Sequence, residues 1–297
     1  MKHWLEAFRL RTLPLALASV FMGSVIAAYH GIFNEYVAVL TALTTVFLQI
    51  LSNLANDYGD AASGADNEDR VGPRRAVQSG LIPAEKMKKA IIFFSFLALI
   101  SGIALIVVGT RGLYLSYGVF FFLLGVVAIA AAIKYTVGKN PYGYRGLGDL
   151  FVFLFFGPVG VCGTYFLHTA SLSVDVFLPA IAIGLFSSAV LNVNNLRDYE
   201  NDKKSGKNTL VVKMGKKNAV IYHFMIIILA WLSLITFALL SDFKTIQYLF
   251  LLLLPISFIH LKAVLRDENE SLDAQLKVQA LTTFFVVILM GVALLIL

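Results

Sequence analysis

VAVLTALTTVFLQILSNLANDYGDAASGADNEDRVGPRRAVQ, residues 37–78, begins as an apolar run and ends as a dense cluster of charge. No charged residue occurs from Val37 to Ser52; five acids and three arginines then fall between Asn53 and Gln78. The pattern predicts a membrane-spanning helix that carries its acids at the bilayer surface. On that helix Asn53, Asn56, Asp57 and Asp60 recur at i, i+3, i+4 and i+7, which is expected to be one face.

A second cluster, NVNNLRDYENDKKSGKNTL (residues 192–210), closes another apolar run, with Asn194, Asp198 and Asp202 every four residues. Both clusters contain N-x-x-x-D, at Asn56/Asp60 and Asn194/Asp198, which points to a diverged internal repeat four spans long. Two acid-lined helix ends, each followed by a basic loop, predict a metal-bridged polyphosphate held between them.

The rest of the chain fits a membrane protein. Of 297 residues, 59% are hydrophobic and 14% charged, and the apolar residues lie in runs rather than alternating faces. The expected fold is all-α: one polytopic domain over residues 1–297, with nine spans near 12–30, 37–56, 88–109, 113–134, 148–168, 175–196, 218–240, 245–262 and 277–297. Of 24 Lys and Arg residues, 22 fall in the N-terminal tail and the even-numbered loops; Arg111 and Lys244 alone lie on the opposite side. The positive-inside rule then puts the N-terminus and both acidic motifs in the cytoplasm and the C-terminus outside. The first apolar run is read as an uncleaved helix, because many spans follow it. Topology and lipid contact account for the basic residues, so no nucleic-acid partner is expected, nor an obligatory protein partner.

Among the loops, KYTVGKNPYGYRGLGD (residues 134–149) combines three cations, three tyrosines, four glycines and a terminal acid. Its Lys139 and Arg145 suit anions, and Tyr135, Tyr142 and Tyr144 suit flat rings. Arg74, Arg75 and Lys207 lie close to the acids in sequence and are expected to pair with phosphate oxygens. Arg9 and Arg11 read as interfacial anchors, and His223 and His260 as isolated packing residues on apolar helices.

The ligand set is oxygen-only. No two of the five histidines have metal-ligand helical spacing, and Cys162 is the single cysteine, so a zinc site and a disulfide are both unexpected. Carboxylates with amide oxygens suit Mg²⁺, which takes its remaining ligands from water and phosphate. No Walker or Rossmann signature accompanies them. Within a bilayer, a metal-neutralised diphosphate is a good leaving group, and an allylic carbon would leave a delocalised cation for an electron-rich partner to trap. A transporter is the rival from another class, but its ion sites would sit near mid-bilayer rather than at one face among arginines.

Asn56-Asp57-x-x-Asp60 and Asp198-x-x-x-Asp202 resemble the two aspartate motifs of the UbiA superfamily of intramembrane aromatic prenyltransferases. The resemblance covers essentially the whole chain. Many members carry a further Asp at the position of Gly64; here the next acid is Asp66. That ending, DRVGPRR and PYGYRGLGD are similar to the naphthoate branch. The resemblance implies a bundle of about nine spans around a central cavity, with a Mg²⁺-dependent site at its cytoplasmic mouth. It implies polyprenyl diphosphate as donor and 1,4-dihydroxy-2-naphthoate as acceptor, with 4-hydroxybenzoate as the alternative. It assigns metal and diphosphate binding to Asn56, Asp60, Asp198 and Asp202, with Asp57 and Asp66 beside them. Asp60, Asp198 and Asp202 would be catalytic. Arg70, Arg74, Lys139, Arg145 and Arg197 would meet diphosphate or the acceptor carboxylate, and Tyr142 the acceptor ring.

Overall fold

The computed structural model describes residues 2–65, 75–266 and 272–295. Among them, nine helical segments are long and apolar enough to cross a bilayer: Lys2–Tyr29, Glu35–Ser63, Ala84–Gly109, Leu115–Lys134, Gly148–Thr169, Val174–Arg197, Lys216–Leu240, Thr245–Arg266 and Leu272–Leu295. They are the nine expected spans, with several ends displaced by a few residues.

The second span runs seven residues past its expected end. It starts at a side-chain cap, where Asn34 Oδ1 accepts from the backbone N–H groups of Tyr36 and Val37, and it ends only at Gly64, whose φ of 74° is a left-handed helix stop. Its 29 residues reach about 44 Å at 1.5 Å each, against a hydrocarbon core of ~30 Å. The extra turns carry Asn56, Asp57 and Asp60 beyond the apolar layer while keeping them helical.

In the first span the chain breaks at Arg9, in a left-handed conformation (φ 50°), before the helix restarts over Leu13–Tyr29 with Pro14 in its first turn. The fifth span widens to a π-helix over Phe155–Cys162, around Pro158. There small residues bring backbones together: a Cβ on Gly157 would lie 2.5 Å from the Ala180 carbonyl oxygen, and one on Gly23 2.4 Å from that of Val161.

The main apolar core gathers Met22, Phe186, Trp231, Phe237, Phe250 and Met290 from the first and sixth to ninth spans. A second cluster around Leu51, Leu54 and Met87 joins the second and third spans. The third and fourth spans instead expose Ile92, Phe93, Phe96, Phe120 and Leu123, as helices facing lipid do. Histidines 223 and 260 are not isolated, as the sequence had implied. Their Nε2 atoms are 2.9 Å apart, and His260 Nδ1 is 2.9 Å from Gln275 Oε1, so each buried ring has a polar partner on a neighbouring span.

Candidate active site

The described residues of the polar motifs collect at one end of the bundle. Asn53 Nδ2 donates to the Phe8 carbonyl (2.9 Å), which ties the second span to the first. Arg197, at the end of the sixth span, reaches Asp273 at the start of the ninth (2.6 Å). Between these ties the two acidic motifs face each other. Lys207 Nζ lies 3.5 Å from Asp60 Oδ1 and 3.8 Å from Asp202 Oδ1, so one ammonium sits between carboxylates of different motifs. Side chains from two motifs more than 140 residues apart thereby form one pocket of charge.

The expected single face of the second span divides in two. Asn56 and Asp60 turn towards the loop after the fourth span: Thr136 Oγ1 lies 3.3 Å from Asn56 Oδ1, and the Tyr144 hydroxyl donates to Asp60 Oδ1 at 2.8 Å. Arg75 Nη2 approaches the other Asp60 oxygen at 3.6 Å. Asn53 and Asp57 turn elsewhere. Asp57, expected beside Asn56 as a metal ligand, accepts the backbone N–H groups of Ala76 and Val77 through its two oxygens, each at 3.0 Å, and so anchors the loop that carries Arg75.

The second motif is also held from within. Arg197 Nε and Nη2 donate to the two oxygens of Asp198, both at 2.8 Å, while Nη2 also reaches Asn194 Oδ1 at 2.9 Å. At 2% exposure, this guanidinium positions Asp198 instead of standing open to a phosphate. Asp202 and Asn201 are buried on the short helix Tyr199–Lys204. Of the other expected cations, Lys139 and Arg145 are exposed at the rim, and the Arg145 carbonyl accepts from Lys213 Nζ (2.7 Å). Asp66, Arg70 and Arg74 lie outside the described residues.

The tyrosines of the loop take different parts. Tyr142 stacks on Phe151 with centroids 4.1 Å apart and donates to the Ala131 carbonyl (2.9 Å), so its ring forms wall. Tyr144 is the one that touches an acid, a contact that sequence reasoning did not single out. Tyr135 is held as a neutral phenol: burial first, then the charges of Asp149 and Asp60, the Tyr142 phenol and the charge of Asp202, raise it well above the usual tyrosine range. Its neighbour Asp149, at the start of the fifth span, is 4% exposed.

Among the described residues no three His, Cys, Asp or Glu side chains converge on a point that would cage a metal unaided. Asp60 and Asp202 nevertheless make an oxygen pair around a position where positive charge already sits, that of the Lys207 ammonium, and Asn56 adds a side-chain carbonyl one turn before Asp60 on the same helix. Such a set fits Mg²⁺ that completes its shell with water and phosphate.

An apolar bundle with facing acidic motifs at one mouth defines the class: an intramembrane enzyme that handles a lipid-soluble diphosphate at the membrane surface. Residues 16–289 match the UbiA prenyltransferase family. The chain is 47% identical over 258 residues to the 1,4-dihydroxy-2-naphthoate octaprenyltransferase of Haemophilus influenzae, covering 86% of this chain and 83% of that one. To the enzyme of the same name from Escherichia coli it is 46% identical over 264 residues, covering 89% and 85%. Among solved structures, a UbiA homolog from Aeropyrum pernix superposes with a TM-score of 0.68 at 17% identity, over 96% of this chain and 97% of that one. A homolog from Archaeoglobus fulgidus bound to DMAPP and Mg²⁺ gives 0.65 at 17% identity, over 99% of each. The chain therefore belongs to the UbiA prenyltransferase family and is an integral membrane protein.

Proposed function

We propose that this protein transfers a polyprenyl chain from polyprenyl diphosphate to 1,4-dihydroxy-2-naphthoate, with loss of CO₂ and diphosphate, in the menaquinone pathway. The observation that carries the site assignment is the Lys207 ammonium between Asp60 and Asp202, which marks a point where both motifs bind one positive charge. The names of the relatives from Haemophilus influenzae and Escherichia coli support the acceptor. Asn56, Asp60, Asp198 and Asp202 would hold Mg²⁺, with Asp66 beside them; the metal would neutralise charge on the departing diphosphate. Arg75 and Lys207 would receive phosphate oxygens as they release Asp60, with Arg70 and Arg74 assigned the same part by the family motif. Lys139 and Arg145 at the rim would draw in the acceptor carboxylate.

The protein's own work is then positional. The bundle sets the allylic carbon below the acids, Tyr142 and Phe151 give a flat wall, and the apolar interior excludes water from the cation. We place the acid-bearing end in the cytoplasm and the protein in the inner or plasma membrane, on the charge split of the loops.

The ring carbon that bears the carboxylate has no proton to lose after alkylation, so the ring recovers aromaticity by expelling CO₂. Naphthoate labelled in its carboxyl group should release the label only with Mg²⁺ and prenyl diphosphate both present, in equal amount with prenylated product. Product that keeps the label, or preferred turnover of 4-hydroxybenzoate, would overturn the acceptor assignment.

A further inference from the structure

Asp149 is a buried acid that the site as described does not use. It lies in the first turn of the fifth span at 4% exposure, and the one side-chain donor within reach of its carboxylate is a phenol, at less than full hydrogen-bond geometry. The Tyr222 phenol of the seventh span stands beside it. A buried carboxylate with one donor for about four acceptor sites is costly, and such groups persist where a ligand supplies a further donor. The space for one is there. Asp149 and Tyr222 line a cleft of about 430 Å³ with Gly146, Phe153, Leu185 and Ser188. That volume falls in the usual ~300–1,000 Å³ of small-molecule sites, and an apolar lining with few polar groups suits a flat aromatic ring.

The cleft is not remote from the acidic motifs. Tyr135 feels the charges of Asp149, Asp60 and Asp202 together, so its phenol is within electrostatic reach of both the cleft and the facing carboxylates. A Cβ on Gly148 would lie 3.2 Å from the Tyr135 hydroxyl, which puts the residue preceding Asp149 against that phenol.

What fills an acceptor-only position among apolar walls is a neutral O–H donor, and a phenolic substrate brings one. We propose that Asp149 binds a ring hydroxyl of the aromatic acceptor and carries its proton through the reaction, an inference that rests on the naphthoate reading above. The hydroxyl is the one on the carbon next to the carboxylate-bearing carbon. As the bond from that ring carbon to the allylic carbon forms, the allylic C–O bond breaks and its electron pair leaves with diphosphate. The hydroxyl proton passes to Asp149, and the oxygen becomes a ketone. The product of this step is a β-keto carboxylate. Its C–CO₂ bond then breaks, CO₂ departs, and the electron pair moves to the ketone oxygen, which takes the proton back from Asp149. The quinol, CO₂ and diphosphate balance the two substrates with no net proton, and Asp149 ends as it began.

The test uses the full chain in lipid nanodiscs, with three readouts: turnover of naphthoate, binding of an unreactive prenyl thiodiphosphate with Mg²⁺, and thermal unfolding. Asp149→Asn keeps shape and removes the base. We expect kcat to fall by about 10²–10⁴-fold, the range for loss of a general acid–base group. Thiodiphosphate binding and melting temperature should hold or improve, because a buried charge has gone. Asp149→Glu should recover part of the rate, and formate should partly rescue Asp149→Ala. Near-parental kcat in Asp149→Asn would overturn the proposal, as would loss of analogue binding or of melting temperature in step with loss of rate. If the parent protein itself fails on naphthoate but prenylates another phenolic acid, the acceptor reading fails instead, and the same variants on that substrate decide the role of Asp149.

Discussion

Lys207 places its ammonium 3.5 Å from Asp60, a residue of the other acidic motif, with the pair almost out of solvent: 12% and 5% of the two side chains are exposed. Leaving a buried charge unpaired usually costs about 3–5 kcal/mol. Asp60 keeps Tyr144 and Arg75 when Lys207 is removed, so Lys207→Met is expected at or below the lower end of that range. The loss should appear as a lower melting temperature in EDTA and be largely restored by Mg²⁺, which can take the place of the ammonium. A loss that Mg²⁺ leaves untouched would show that Lys207 does not occupy a cation position.

Asp60→Asn and Asp202→Asn each retain size and remove one charged oxygen from the set around that position. By analogy with losing one donor to a developing anion, the barrier should rise by about 3–4 kcal/mol, hence roughly 10²–10³ in rate. Stability without metal should fall too, by up to about 3–5 kcal/mol for Asp60→Asn, whose charge pairs with the buried Lys207 and Arg75, and by less for Asp202→Asn, which meets Lys207 at 3.8 Å. Initial rates across a Mg²⁺ series check this, and EDTA should abolish turnover in the parent. Near-parental rates at low Mg²⁺ would remove either residue from the site.

Much of this was legible in the sequence, for a physical reason. Apolar windows of bilayer length and charge confined to alternate loops are local signals, so Val37–Gln78 and residues 192–210 announced spans and motifs directly. Which side chain meets which is not local. Nothing near Asp273 marks it as the partner of Arg197, 76 residues away. The His223–His260 contact likewise needs two spans to be packed before it exists. The division of Asn53, Asn56, Asp57 and Asp60 depends on where the loops return, although their helical spacing was read correctly.

Gly59 is where the second span meets the loop after the fourth. A Cβ there would lie 2.6 Å from Thr136 Oγ1 and 2.7 Å from the Thr136 carbonyl carbon and oxygen, and backbone cannot yield as a flexible side chain does. Thr136 also donates to the Ala55 carbonyl at 3.0 Å, so the contact sets the height of Asn56 and Asp60 against Tyr144. Gly59→Ala should cost about 1–3 kcal/mol by overpacking. Turnover should fall further than that lost stability explains, because the acids move with the helix. Unfolding and kcat measured together would separate the two effects; an unchanged kcat would show that the spacing does not matter.

The orientation can be read by labelling. Cys162 is buried and gives little background, so single cysteines at Lys204 and Lys244 report cleanly. Lys204 belongs to the acid-bearing end and Lys244 to the turn between the seventh and eighth spans, at the other. In intact cells an impermeant maleimide should modify Lys244→Cys alone, and inside-out vesicles should reverse the result. Modification of both from one side would break the nine-span topology.

Arg197 offers a choice between two roles that make different predictions. If it met substrate directly, Arg197→Met would chiefly raise KM and leave the fold alone. The structure instead gives its guanidinium to Asp198, through two bonds of 2.8 Å, and to Asp273. Asp198 has only 8% of its side chain exposed, whereas Asp273 has 38%, so most of the energy lies in the Asp198 contact and the outer pair is screened by solvent. Arg197→Met leaves Asp198 without this partner and should destabilise by about 3–5 kcal/mol. Asp273→Asn, which spares the inner contact, should cost well under that. Arg197→Lys should behave like Arg197→Met, because an ammonium cannot reproduce the two parallel bonds to one carboxylate. Melting curves of the three variants, with KM for prenyl diphosphate alongside, decide the matter: a rise in KM without a fall in melting temperature would return Arg197 to the substrate.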